Sequence, residues 1–460
     1  MLHAVSEDFL ADINTPVSAY LKLCHGQAGS FLFESGESVD QIGRYSVVAW
    51  DPLVRLHLTT QGLQVINPLL QRSHPPGDFF DIARATLERL GDPGLPDLPF
   101  VGSLMGYVGY DAVRLMERLP SPWPEDLPVA ELCFCSRFVV FDHLGRKLTL
   151  VALADTQNQA RAKLDEIRRQ LRVPLAVEAA PASLTMDPPA PGRFIDAVAK
   201  AKHYILEGDI FQVVLSEQFT GTSDLDPFTA YRVLRTTNPS PYMFFLDLGE
   251  TQLAGASPET LVSMDQDTLR LRPIAGTRRR SGDPARDRRL ERELMDSEKE
   301  RAEHIMLVDL ARNDAGKVCR YGTVAVDPYM VVERYSHVMH IVSQVTGRPR
   351  PEVDIWQAFE AAFPAGTVSG APKVRAMEII DELEFGPRGP YAGAVGRFGP
   401  GRRMDTCIAI RMIQFSGGRV TVQAGAGIVA DSVPAQEFKE IEHKAAQGIE
   451  ALRIAAGGLP

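Results

Sequence analysis

The chain is poor in the residues that mark several large classes of protein. Its 460 residues hold five cysteines, Cys24, Cys133, Cys135, Cys319 and Cys407, odd in number and without a CxxC pair. Neither a disulfide framework nor a thiolate zinc site is expected, and a reducing, cytoplasmic setting suits this usage. Cys133 and Cys135 share one face of a strand-like run whose apolar setting marks core packing. No apolar run reaches the roughly 18–20 residues of a membrane helix. The best are strand-sized, such as 147–154 (KLTLVALA). The opening MLHAVSEDFLADIN carries acids where a secretory signal needs bases. Positive charge is short too: 49 Lys and Arg against 59 Asp and Glu leave a formal net charge of −10. That is the wrong sign for a general nucleic-acid binder. Internal repeats and low-complexity segments are absent.

What is present is ordinary globular material, 45% hydrophobic and 23% charged, enough to bury a large core. The clearest seam is 174–192, with Pro174, Pro181, Pro188, Pro189 and Pro191. It reads as a connector between an N-terminal region, 1–173, and a larger region, 193–460. Alternating runs at 31–33, 46–50, 137–141 and 148–153 predict strands, and helices are expected near 78–90 and 155–172. The second region mixes helix signals with Gly/Pro turns. The expected class is α+β with a large sheet core.

Several motifs point away from familiar chemistry. The stretch 276–303 carries nine bases interleaved with eight acids, which describes a solvated loop and helix rather than a phosphate track. Gly425-Ala426-Gly427-Ile428-Val429-Ala430 follows a strand-like run and precedes a helix, matching G-x-G-x-x-A. Only 30 residues follow it, so no second strand completes a dinucleotide unit. Backbone N–H groups of such a loop at a helix start still suit a carboxylate. Gly366–Lys373 lacks the G-K-[ST] ending of a phosphate loop, and Pro372 removes one N–H. There is no G-x-S-x-G elbow, and no cysteine in a G-x-C-x-G elbow to serve as a glutaminase nucleophile. His337 and His340 fall on opposite faces of a buried-looking element.

Two carboxylate pairs remain. Ser297, three residues before Glu300, has capping-box spacing and opens a helix on which Glu300 and Glu303 lie one turn apart. Ser432 and Pro434 announce another helix, which places Glu437, Glu440 and Lys444 on one face. Two such pairs can together hold a hard cation such as Mg²⁺ through oxygen ligands.

Longer segments carry a resemblance. These are 208–216 (GDIFQVVLS), 273–277 (PIAGT), 303–314 (EHIMLVDLARND), 338–340 (VMH) and 363–373 (FPAGTVSGAPK), running on to 375–383 (RAMEIIDEL). They resemble the chorismate-utilising enzymes, most closely the large synthase subunits of anthranilate synthases, loosely over about 10–170 and tightly over about 194–453. The resemblance implies two orthogonally packed antiparallel sheets with helices outside and the active site between them. It implies Glu303 and Glu440 as Mg²⁺ ligands, with Glu300 and Glu437 acting through water. Arg411 and Tyr391 would clamp the enolpyruvyl carboxylate, aided by backbone N–H groups of Gly425, Ala426 and Gly427. Gly276, Thr277 and Thr367 would line the pocket, Lys444 would join the substrate-binding set, and His340 would move the proton.

Two positions separate reactions within the family. Isochorismate and salicylate synthases carry a water-activating Lys where Gln212 stands, so ammonia becomes the nucleophile here. Aminodeoxychorismate synthases commonly carry Lys at the place of Ala275. The resemblance therefore implies amination of chorismate at C2 followed by pyruvate elimination, giving anthranilate. It also implies a glutaminase small subunit in a heterotetramer. Feedback by tryptophan would act through Glu34, Ser35, Pro241, Tyr242 and Met243, with Phe33 where Leu is usual. The alternatives are an aminodeoxychorismate synthase component, disfavoured by Ala275, and a non-catalytic tryptophan-binding subunit, disfavoured by the intact Glu303, His340, Arg411 and Glu440.

Overall fold

The computed structural model describes residues 2–36, 43–67, 70–123, 125–175, 180–335 and 338–458. His337 and residues 176–179 of the Pro-rich stretch lie outside them. Every strand pairing among the described residues is antiparallel. Hydrogen bonds link 21 strands into one ladder, and three more form a small separate sheet.

The large ladder turns a corner at two long strands, Tyr45–Thr59 and Pro128–Asp142, which pair along their whole length. The half 45–50 continues through Ser30–Glu34 to Tyr242–Asp247, Thr251–Ser257, Met412–Ser416, Arg419–Ile428 and Gln212–Ser223. The half 55–59 has Gly62–Asn67 on that edge instead. Across the corner, the half 128–134 continues through Leu104–Val108 to Ala394–Gly399, Arg403–Ile408 and Thr260–Asp265. The register shifts between Pro52 and Val54, next to Asp51 at φ 59°. Pro52 brings no N–H to the ladder, and a bulge there bends the strand from one sheet into the other. Corner strands that belong to both sheets are the means by which sheets pack across one another.

The expected elements form where the pattern places them. Helices run over Phe79–Leu90 and Gln157–Leu171, the second opened by a Thr156 side-chain cap. The Pro-rich stretch contributes more than a connector: Leu184–Met186 adds an edge strand to Gln212–Ser223, and Pro191 opens the helix Pro191–Glu207 at a position where its missing N–H costs nothing. Ser297 caps the helix Glu298–Val318, accepting from Glu300 N at 3.4 Å, but the reciprocal half of a capping box does not form. The N–H of Ser297 already bonds Leu294 O at the end of the preceding helix, and the Glu300 side chain goes to Arg278. The small sheet of Ile274–Arg279, Val338–Val342 and Val331–Arg334 encloses its own core of Leu294, Met339 and Ile341.

Gly106 marks the tightest strand approach. It lies opposite Leu132 on one side and Gly396 on the other, and a Cβ there would overlap the Glu131 carbonyl. Gly106→Ala should lower stability by about 3 kcal/mol, read as a reduced urea midpoint with unchanged slope.

Candidate active site

Gln212–Ser223 and Arg419–Ile428 run together for ten residue pairs, with Ser216 opposite Gly425 and Val214 opposite Gly427. Residues 425–427, expected in a loop at a helix start, therefore end a strand. Val214–Ser216 offer them a ladder, and the helix waits until Pro434. Past Val422 the other edge of this strand has no strand partner among the described residues. Lys444 Nζ donates to Gly425 O from that side at 2.9 Å. In antiparallel strands the N–H and C=O of one residue share an edge and alternate residues repeat it, so the N–H groups of Gly425 and Gly427 face the opening too. The N–H groups expected on a loop are thus presented by a strand edge. The glycines also make room: a Cβ on Gly425 would stand 2.9 Å from the Tyr391 hydroxyl, and one on Gly427 would run into the Gln212 amide.

The four carboxylates stand as two pairs on two helices. Glu303 accepts from Gln212 Nε2 at 3.4 Å, and its pKa is raised, first by burial and then by neighbouring Glu300. Glu300 is held by Arg278 Nη1 at 2.9 Å. Burial likewise raises Glu437, with Glu440 adding to it, while Glu440 is held by Lys444 Nζ at 2.6 Å. Lys299 and Lys444 pull down both Glu303 and Glu437, so the two pairs look into the same space. Among the described residues no group of three or more His, Cys, Asp or Glu is disposed to hold a metal. The donor chemistry nevertheless fits a hard divalent cation. Two half-buried carboxylates beside like charges are relieved by positive charge, and all the donors are oxygen.

Gly276, at φ 64°, needs a left-handed conformation, and a Cβ on it would press on Glu300 Oε2 at 3.0 Å. Its carbonyl accepts from His340 Nδ1 at 2.9 Å, and Thr277 Oγ1 lies 3.1 Å from the same nitrogen. A carbonyl can only accept, so Nδ1 carries the proton and the lone pair of the neutral ring sits on Nε2. The small sheet thus presents Gly276, Thr277 and His340 beside Glu300.

Arg411 occupies a left-handed conformation at φ 53°, rare for a side-chain-bearing residue, and its carbonyl is tied to Ala256 N at 3.1 Å. Burial lowers its pKa, against the opposing pull of Tyr391 and Glu440. No ion pair engages it among the described residues, and its guanidinium donates to the neutral Gln447. A half-buried guanidinium without an ion-pair partner favours the arrival of an anion. Tyr391 beside it is buried, its hydroxyl pushed up to about 12 by burial.

Residues 31–450 match the family described as chorismate binding enzyme. The chain belongs to that family. Its curated relatives include anthranilate synthase component 1 of Thermus thermophilus, 44% identical over 98% of both chains. That of Synechocystis is 42% identical over 98% of this chain and 96% of the relative. Anthranilate synthase component I from Streptococcus pneumoniae superposes with a TM-score of 0.79 at 35% identity, covering 96% of this chain and 99% of that one. The menaquinone-specific isochorismate synthase MenF of Escherichia coli superposes at 0.77 with 21% identity, a likeness of fold.

In this chorismate-binding enzyme the sequence reading missed Glu259. It lies between the strands Thr251–Ser257 and Thr260–Asp265 and lines a narrow cavity with Leu307, Leu310, Asp314 and Thr367. Leu307, Leu310 and Asp314 continue the helix stripe of Glu300 and Glu303, so the cavity extends the carboxylate site along one helix. Burial pushes Glu259 up to about 8, and the buried Thr367 hydroxyl beside it makes no well-formed hydrogen bond. An acid following Ser-Pro between two apolar strands is the only sequence trace of this. The two segments expected to bind tryptophan do meet: Gly36 N donates to Ser240 O at 2.8 Å, and Glu34 pairs with Met243. The Glu34 carboxylate is already taken by Tyr231 Oη at 2.7 Å and Arg235 Nε at 2.9 Å. Pro241 is buried beside these segments. Tyr242, pointing to the opposite face from Met243, bonds Thr260 and Asp405.

Burial holds the Glu259 proton up to about 8 in the folded protein, whereas an unfolded chain surrenders it near the ordinary 4.5. Stability from this group is therefore full at low pH and lost as pH rises across that window. Glu259→Gln should melt with wild type at pH 5 and above it at pH 9, measured as thermal midpoints in matched buffers.

Proposed function

We propose that the chain is the synthase component of an anthranilate synthase: it aminates chorismate with ammonia and eliminates pyruvate to give anthranilate. The observation that carries the choice among the family's reactions is Gln212. Its amide lies against Glu303 and Gly427, where a base would be needed to activate water. An amide has no proton-accepting strength at neutral pH, so the nucleophile must be competent unaided, as ammonia is. The full-length relatives named anthranilate synthase component 1 support the same choice.

Bound chorismate would lay its enolpyruvyl carboxylate against Arg411, Tyr391 and the open N–H groups of Gly425 and Gly427. Glu303 and Glu440, supported by Glu300 and Glu437, would hold Mg²⁺, which would supply positive charge at the ring carboxylate. Ammonia forms the bond to ring C2, the ring double bonds shift, and the C4 hydroxyl departs as water with a proton. Glu259, still protonated at neutral pH, is the acid suited to give that proton. In the second step a proton leaves C2 and the C3–O bond breaks. The departing enolpyruvyl gains a proton to become pyruvate. His340, whose ring when neutral carries its lone pair on Nε2, is the group for proton removal.

The chain carries no glutaminase elbow, so a glutamine-hydrolysing partner supplies ammonia, in the heterotetramer expected of such pairs, and ammonium at high pH replaces it. Tryptophan acts as feedback inhibitor through Ser35, Pro241, Tyr242, Met243 and Glu34, a reading supported by the contact between these segments.

The test is fluorescence and product mass with purified chain, chorismate, Mg²⁺ and ammonium at high pH. Anthranilate should form, vanish with EDTA, fall at least about 100-fold in Glu440→Gln, and decline on adding tryptophan. An amino-substituted ring that retains its enolpyruvyl group, or no turnover by folded chain, overturns the reading. Separately, Glu259→Gln should lower kcat about 100-fold or more and remove the fall in kcat expected of wild type as pH rises past about 8.

A further inference from the structure

Arg411 is held by an acceptor that carries no charge. Its Nη1 donates to Gln447 Oε1, and the same oxygen receives Asn238 Nδ2 at 2.8 Å. Gln447 stands on the helix Pro434–Ala456, one turn past Lys444 and two past Glu440, on the stripe that begins at Glu437. The backbone of Arg411 is fixed by its bond to Ala256, so the direction of its side chain is the variable left to set. An amide oxygen sets that direction through a charge-assisted hydrogen bond and leaves the guanidinium cationic. A carboxylate in the same place would aim it equally well and cancel the charge that an anionic substrate needs.

We propose that Gln447 is the positioning residue for Arg411, aiming its guanidinium at the substrate carboxylate while keeping it charged, and that Asn238 holds Gln447 in that task. The inference rests on the reading of Arg411 as the chorismate clamp. Asn238 ends the helix Pro227–Thr237 and opens the segment whose Ser240 meets Gly36. A ligand that moves this segment is therefore felt at Arg411, and by reciprocity chorismate at Arg411 is felt there.

The test uses the full chain with ammonium as nitrogen donor, comparing Gln447→Met, Gln447→Glu, Asn238→Ala and Arg411→Ala, singly and in pairs. Gln447→Met should raise the KM for chorismate about five- to tenfold with kcat within about twofold and an unchanged thermal midpoint. Gln447→Glu should raise KM further, about thirtyfold, although Glu is isosteric and keeps the acceptor. Asn238→Ala should shift KM in the same direction by less. It should add nothing to Gln447→Met, which in turn should add nothing to Arg411→Ala. A Gln447→Glu variant that matches wild type overturns the proposal, as does full additivity in either pair. So does a Gln447→Met variant that loses kcat and thermal stability with KM intact. If Arg411→Ala itself leaves KM unchanged, the clamp reading falls and the inference falls with it. If Arg411→Ala raises KM and Gln447→Met does not, the inference alone is overturned.

Discussion

The site depends on one ladder, that between Gln212–Ser223 and Arg419–Ile428. Its first residues place Gln212 against the helix of Glu303 and also pair with Gly370–Ala371, just past Thr367. Its middle places Ser216, whose N–H and hydroxyl hold Glu384 at 2.7 and 2.9 Å. Glu384 in turn holds the buried Arg388, whose guanidinium lies over the Tyr110 ring at 4.4 Å and 6.0 Å from the ring of Tyr391. The opposite strand offers Gly425 O to Lys444 on the C-terminal helix. Slipping this register by one residue would put glycines where side chains stand and would unseat the amide, tyrosine and lysine together.

Around that ladder the charges are left incomplete in a consistent way. Arg411 is half-buried without an ion-pair partner among the described residues, burial raises the pKa of Glu259 in its narrow cleft, and Glu303 and Glu437 are half-buried beside other carboxylates. Away from the site the chain pairs a buried ion closely, as Arg55 does for the buried Glu131 at 2.5 Å. The contrast separates the region in which the proposed substrate and cation would bind from regions that only need to stay folded.

Much of the frame was legible because its cues are local. Pro434 at the first turn of a helix, the alternation at 148–153 and the i, i+3 carboxylates each report on their own neighbourhood. The misreadings arose where a distant segment decides. Gly425–Gly427 reads as a loop until Gln212–Ser223 is laid beside it. Ser297 promises a capping box until Leu294 O takes its N–H. Glu259 is unremarkable until burial gives it a proton, and Gln447 gains meaning only from Arg411 and Asn238, 36 and 209 positions away. Arg411 itself was readable only through resemblance, since nothing in its neighbours forecasts an unpaired charge.

The shared corner strands have a bearing on how the chain reaches this state. Ser30–Glu34 is buried along its whole length between 47–49 and 243–247, and Leu104–Val108 is buried between 130–134 and 394–398. During synthesis the first half therefore emerges with two largely apolar strands, each missing one neighbour that lies some 200 or more residues downstream. Loop closure over such distances is slow, and open apolar edges invite pairing with other chains in the meantime. Synthesis of the second half is thus also what shields the first, and a chain cut at the Pro-rich seam would yield two sticky fragments instead of two modules.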